Sequence, residues 1–253
     1  MVKELCFIGR IGNMGVSFTE KTNSNLLRMY QFIDTLDNTQ LYTYRDFQEL
    51  IEFHCHITKS NIRMYTPLLM KCGLVIPTYS RNMFRAQDYF TQEGKMYCQT
   101  LKIIDELPDD NSQARLIAIG MKQDMLKECV PNIISDELYR DFILMCLRYG
   151  SINVQEFNLL QYTKYTLNDE KYMDSIADQI KLMRSGDLVY RFTQNRVSKT
   201  GARVTEELPD NTFNYTRNFY LEAGIIEKRI NNSYCIKPDK INFIRNALGE
   251  EVS

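Results

Sequence analysis

The sequence predicts a mainly α-helical chain with small β-hairpins, an α+β fold. Three observations support it. Apolar residues recur at helical spacing along most of the chain. Two of these helices stop at a glycine, Gly73 and Gly224, directly before a short apolar strand. The joints KCGLVIPTYS and LEAGIIEKRI then repeat the same order of helix, glycine and hairpin, and a repeated pattern is more informative than a single one. Together they predict tandem winged helix-turn-helix modules. Residues 1–107 would form an N-terminal arm and the first module, and residues 108–253 a linker helix and the second module, which carries a basic hairpin insertion.

Each element has its own warrant. Leu5 to Ile11 is an apolar opening that runs into Gly12-Asn13-Met14-Gly15. Leu26, Leu27, Tyr30 and Ile33 share a helical face, with Ser24 placed to cap. Tyr44 to Phe53 repeats the pattern, and Thr58 or Ser60 opens a third helix that passes Leu69 and stops at Gly73. Pro67 lies inside that helix, removes a hydrogen bond and predicts a kink. LVIPTYSRNMFRAQ reads as two strands around Ser80-Arg81-Asn82, and a helix follows from about Thr91. The stretch Glu106 to Gln113 and the helix after it connect the halves. Helices are then expected over Leu138 to Leu147, Asn153 to Tyr162 and Asp174 to Met183. VYRFTQNRVSKTGARV alternates as a hairpin with Ser198-Lys199-Thr200-Gly201 at its tip. Asn211 to Ala223 is the last long helix, and its hairpin turns on Asn231-Asn232.

Composition narrows the function. With 253 residues, 44% hydrophobic and 25% charged, the chain can bury a core. A net charge of -1 argues against a surface coated in basic residues, though not against a local basic face. The seven cysteines are scattered without a CxxC pair, which points to a reducing compartment. Met1 to Ile11 is too short and too charged for a signal peptide, and no apolar run reaches membrane-spanning length, so the expected location is cytoplasmic with no membrane partner. Both histidines sit in His54-Cys55-His56, where consecutive helical positions diverge. Packing is therefore favoured over metal binding, and no His-dependent nucleophile is available elsewhere. No Gly-rich phosphate loop is present and no cofactor is implied.

A polar helix followed by a hairpin suits duplex DNA, because a helix fits the major groove while the hairpin reaches the backbone or the minor groove. Phe213 and Tyr220 should face inward, leaving Asn214, Tyr215, Arg217 and Asn218 outward. Asn can bond adenine and Arg guanine in bidentate fashion. A solvated polar face, or a face for protein contacts, is the competing account. In the first module Ile62 and Leu69 should point inward and Asn61, Arg63, Met64, Pro67 and Leu68 outward, with Lys59, Asn61 and Arg63 placed for DNA and Arg81 at the hairpin tip. Arg184, Arg191, Arg196, Lys199 and Arg203 lie in a stretch opposed only by Asp187, a composition suited to phosphates or to a solvated hairpin.

GRIGNMG, QFID, CGLVIPTYSRNMF with YFTQEGKMY, and NFYLEAGIIEKRINNSYCIKP together resemble the DNA-recognition region of type IIS restriction endonucleases of the FokI kind. The resemblance is of element order and joints, over nearly the whole chain. It implies winged-helix-like subdomains that contact bases, and an opening segment that touches DNA around Gly-x-x-x-Asn-x-Gly. Gly9, Asn13 and Gly15 fit that stretch, whereas Arg10 replaces an aromatic and is a candidate by charge. The family's PD…(D/E)xK cleavage centre is not expected here: Pro108-Asp109 and Asp169-Glu170-Lys171 are a poor imitation at the wrong separation. The expectation is therefore a sequence-specific double-stranded DNA-binding chain without catalytic or metal-binding residues. Mg²⁺ would enter only with an attached nuclease domain or subunit. A winged-helix scaffold for protein partners, for which outward Met64 and Leu68 would count, and a transcription repressor are the alternatives.

Overall fold

Local capping residues set the starts of the helices in the first half of the chain. The computed structural model describes residues 1–7, 17–77, 82–108, 112–197 and 201–249, with only the backbone of Arg196 and Val197. After strand β1 (Val2–Phe7), helix α1 (Glu20–Ile33) starts at Thr19, whose hydroxyl accepts from the Thr22 amide. Ser24 was the expected cap, but it lies inside the helix and donates to the Glu20 carbonyl at 2.9 Å. Strand β2 (Leu41–Tyr42) leads into α2 (Tyr44–Cys55), closed by a reciprocal Thr43–Asp46 capping box. Thr58 caps α3 (Lys59–Lys71), and the helix continues through Pro67 to Lys71. Pro67 is exposed, so water can solvate the carbonyl that loses its partner.

Leu68 corrects the predicted outer face of α3, because it is fully buried together with Ile62 and Leu69. The reason is a second packing partner. Lys71 pairs with Asp136 at 3.4 Å, and the Cys129 thiol lies 3.2 Å from the Cys72 carbonyl. The end of α3 thus meets the second half of the chain, and more than one face is covered.

Gly73, at φ +69, ends α3. Val75 then bridges Phe90 antiparallel, while β3 (Phe84–Arg85) pairs with β2 through Leu41↔Arg85 and Tyr42↔Phe84. β3 thus pairs with a strand from ahead of α2 and not with residues 74–77, which meet Phe90 instead, so the expected pairing within LVIPTYSRNMFRAQ is corrected; residues 78–81, around its expected turn, lie outside the described residues. Thr91 caps α4 (Gln92–Glu106), where Gly94 is required by close approach: a Cβ there would stand 1.8 Å from the Leu74 carbonyl oxygen.

The second half repeats this order with an insertion. Helices α5 (Gln113–Glu128) and α6 (Val130–Ile133) precede α7 (Glu137–Tyr149), and Ile152 bridges forward to Tyr234. Helix α8 (Val154–Gln161), closed by an Asn153–Glu156 capping box, continues into a π-helical turn at Tyr162–Thr166. The single helix expected over Asp174 to Met183 is two pieces, α9 (Tyr172–Ser175) and α10 (Ala177–Ser185). Strands β4 (Val189–Val197) and β5 (Arg203–Glu207) form the inserted antiparallel hairpin, with Val197↔Arg203 as the last described pair. Helix α11 (Asn211–Glu222) stops before Gly224, and β6 (Ile226–Lys228) pairs with β7 (Tyr234–Ile236) before α12 (Ile241–Ala247).

β1 runs parallel to β4, from Val2↔Val189 to Phe7↔Gln194, giving a three-stranded sheet ordered β1-β4-β5. The sequence suggested only an apolar opening there. Aromatic contacts join the halves: Phe18 meets Phe219 at 5.9 Å between ring centroids, and Phe219 meets Tyr139 at 5.8 Å. One continuous core runs through both. The fold is mainly α-helical, with small β-elements in open sheets. Among the described residues no helix is long and apolar enough to cross a membrane.

Candidate nucleic-acid interface

Helix α11 buries Phe213 and Tyr220, as expected from its spacing, together with Thr216 and Phe219. Phe213 packs on Phe142 at 5.6 Å and on Phe157 at 5.8 Å, which fixes the rotation of the helix on α7 and α8. The opposite face carries Asn214, Tyr215, Arg217 and Asn218, all partly exposed. Asn211 joins them, exposed in the first turn. Sequence reasoning missed Asn211, although positions 211, 214, 215 and 218 follow the i, i+3, i+4, i+7 spacing of one helical face.

These side chains are not equally presented. The Arg217 guanidinium donates to the Asn218 side-chain oxygen from Nε at 2.9 Å and from Nη2 at 2.7 Å. Its Nη1 lies 3.4 Å from the Tyr234 hydroxyl, and the group sits 5.2 Å from the Tyr234 ring centroid and 5.9 Å from that of Phe213. Asn218 in turn donates to Ser17 Oγ. Arg217 and Asn218 therefore lock α11 to β7 and to the chain ahead of α1. Asn214 and Tyr215 have no side-chain partner among the described residues, so the amide and phenol are available to a ligand.

The hairpin β6–β7 is fixed beside this face. Asn231 and Asn232 both have positive φ, +67 and +54, and Arg229 donates its amide to the Ser233 carbonyl at 2.8 Å. The tip exposes Lys228, Arg229 and Ile230. Arg229 Nε is 2.8 Å from the Cys235 sulfur, which holds its stem along the strand.

The insertion is less uniformly basic than its sequence suggests. Arg191 and Arg203 are exposed on β4 and β5. Glu4 stands opposite Arg191 in the parallel register, and Glu206 and Glu207 return on β5. Arg191 also lines a cleft of about 270 Å³ with Glu207 and Asp210, where the hairpin feeds α11. Arg196 pairs with Val204 in register, and its side chain lies outside the described residues. Lys199 lies there too, as do Arg10, Asn13 and Arg81.

Arg184 belongs to the fold. Its Nε lies 2.6 Å from Glu156 Oε1 and its Nη2 3.3 Å from Oε2, while Nη1 and Nη2 donate to the Tyr149 and Ser151 carbonyls at 3.0 and 2.8 Å. Glu156 is buried and also closes the cap of α8. A second buried knot ties the π-helical turn to α7. Asp141, wholly buried, accepts from Lys164 at 2.8 Å, from Tyr172 at 2.9 Å and from Gln161 at 3.3 Å. Burial works against charge on Lys164, but the Asp141 hydrogen bond and charge outweigh it and raise the Lys164 pKa.

On α3, Lys59 is held between Glu49 at 2.8 Å and Glu52 at 4.0 Å. That hydrogen bond keeps the Glu49 carboxyl below its usual range. Asn61 is half-buried and Arg63 is exposed, with no described side chain paired to it. Among the described residues no hydrogen bond or ion pair joins α3 to α11. His54 lies flat on Phe32 at 4.5 Å, and His56 takes the left-handed conformation that ends α2. Asp169 accepts from the Lys171 amide at 2.8 Å in the turn before α9. No family model matches the chain, no curated protein matches its sequence and no solved structure matches its fold.

Proposed function

We propose that the chain binds double-stranded DNA sequence-specifically through two winged helix-turn-helix modules, with α11 as the principal reading helix. The observation that carries this reading is the repeated element order with matching strand closure. In the first half α1, β2, α2 and α3 precede a ladder made by β2, β3 and the Val75–Phe90 bridge. In the second, α7, Ile152, α8 and α11 precede β6–β7, and Ile152 closes on Tyr234 in the same way. On α11, Asn211, Asn214 and Tyr215 offer the hydrogen-bonding groups that base edges require. Arg191 and Arg203 supply phosphate contacts, and Arg63 does so from α3.

Engagement of Arg217 with a base would require it to exchange Asn218 and Tyr234 for DNA. Within this reading it positions the helix, and Asn214 and Tyr215 do most of the discrimination. The resemblance to FokI-type recognition regions makes a restriction system the natural setting, in the cytoplasm, with cleavage supplied by a nuclease domain or subunit. Exposed Ile103 on α4 and Leu116, Ile117 and Met121 on α5 favour an additional protein contact on the connection between the halves. The burial of Leu68 removes one argument for a pure protein scaffold.

Selection from a random duplex library at moderate salt with Mg²⁺ present tests the proposal. A short asymmetric consensus, recovered uncut, is expected. Absence of enrichment at every salt concentration would overturn it and leave the protein-scaffold reading.

A further inference from the structure

We infer that Ile230 at the tip of β6–β7 is an apolar wedge that enters the DNA minor groove and deforms the duplex there. This rests on the DNA-binding reading of α11 and extends it to the hairpin. Ile230 is 87% exposed, more than any other large apolar side chain described. A single exposed aliphatic residue is ordinary on a strand or helix surface. Ile230 instead occupies a turn tip, a place where small polar residues are favoured, and its surroundings are built to hold it there. The consecutive left-handed Asn231 and Asn232 reverse the chain, the Arg229 amide closes the turn on Ser233, and Ser233 Oγ donates to the Ile230 carbonyl at 3.3 Å.

The chemistry around the tip selects the partner. Lys228 and Arg229 flank Ile230 on one side and the Asn231 and Asn232 amides on the other, all exposed. An apolar side chain flanked by two cations and two amides suits the minor groove, with the exposed Glu227 carboxylate set back along β6, where the Cys235 sulfur contacts both it and Arg229. Phosphates line its rims, adenine N3 and thymine O2 accept hydrogen bonds on its floor, and an aliphatic wedge can part a base step. A hydrophobic protein groove would not reward those flanking cations. The tip is also coupled to the reading helix, because Tyr234 at the start of β7 meets Arg217 of α11 at 3.4 Å. Placing α11 in the major groove thus carries the tip to the adjoining groove as one body.

The test compares the parent with Ile230→Ser and Lys228→Ala on the duplex recovered by selection, by affinity, salt dependence and bending measured from end-to-end energy transfer. Exposure of Ile230 means that the Ser variant keeps its fold, which its melting temperature checks. The expected result for Ile230→Ser is a roughly tenfold weaker affinity and a loss of bending, with an unchanged slope of log K against log salt, since an apolar contact releases no counterions. Lys228→Ala should instead lower that slope by about one. Parent-like affinity and bending in Ile230→Ser would overturn the wedge while leaving DNA binding intact. Failure of the parent itself to bind any selected duplex would overturn the DNA-binding reading and the wedge with it.

Discussion

Replacing Arg184 with Gln separates a structural arginine from those of the same stretch that are proposed to contact DNA. Arg184 makes two contacts to the buried Glu156 carboxylate and donates to two backbone carbonyls. Gln cannot span these partners, so the substitution leaves a carboxylate at 1% exposure with only its helix-cap contacts. Breaking a buried ion pair costs about 3–5 kcal/mol. The Arg184 side chain is itself 38% exposed, which favours the lower end, about 3 kcal/mol. For a chain of this size that corresponds to a fall in melting temperature of roughly 6–12 °C. Thermal unfolding followed by circular dichroism measures it, and a cycle with Glu156→Gln isolates the pair: the double variant should lose less than the sum of the singles. At a temperature where the variant is folded, its DNA affinity should show the parent's salt slope. Parent-like stability of Arg184→Gln, or a reduced salt slope, would refute the assignment.

Other outcomes follow from the same geometry. Asn214→Ala should relax discrimination at one base position by about 1–3 kcal/mol, read as a change in the relative affinities of single-base-pair variants. Arg203→Ala should weaken all duplexes alike and lower the salt slope by about one, read from affinities across salt concentrations. Gly94→Ala should destabilise by about 3 kcal/mol or more in denaturant unfolding, since its Cβ would meet the Leu74 backbone at 1.8 Å and neither partner is a flexible side chain. Lys164 has a folded-state pKa raised above its unfolded value of about 10.4, so its contribution is fully present below that pH and is lost as pH rises through the folded value. The stability gap between the parent and Lys164→Met should accordingly be constant from pH 6 to 9 and narrow at higher pH.

Local signals were legible where one or two residues decide an element. Thr58, Thr91 and Asn153 cap the helices that follow them, and Gly73 and Gly224 end α3 and α11, because capping and left-handed termination are set within a few residues. Thr19 was overlooked in favour of Ser24 because both precede apolar helical positions. The parallel pairing of β1 with β4 left no local trace, since its register is set by a partner in the other half of the chain. Leu68 was misplaced because a single inward stripe was assumed for a helix packed on two sides. On the candidate site, the spacing of Phe213 and Tyr220 fixed the outer face of α11 correctly, but could not reveal that Tyr234 and Ser17 engage Arg217 and Asn218. Nor could composition show that Glu156 claims Arg184.

Discrimination between DNA sequences is the property that the proposed reading helix must show. Its most direct test is the ratio of dissociation constants for the selected duplex and a scrambled duplex of equal composition, measured at about 0.15 M salt. A ratio of roughly 10³ or more is predicted, in the range of specific DNA-binding proteins. A ratio near one, with both affinities falling together as salt rises, would contradict it and reduce the interface to non-specific charge.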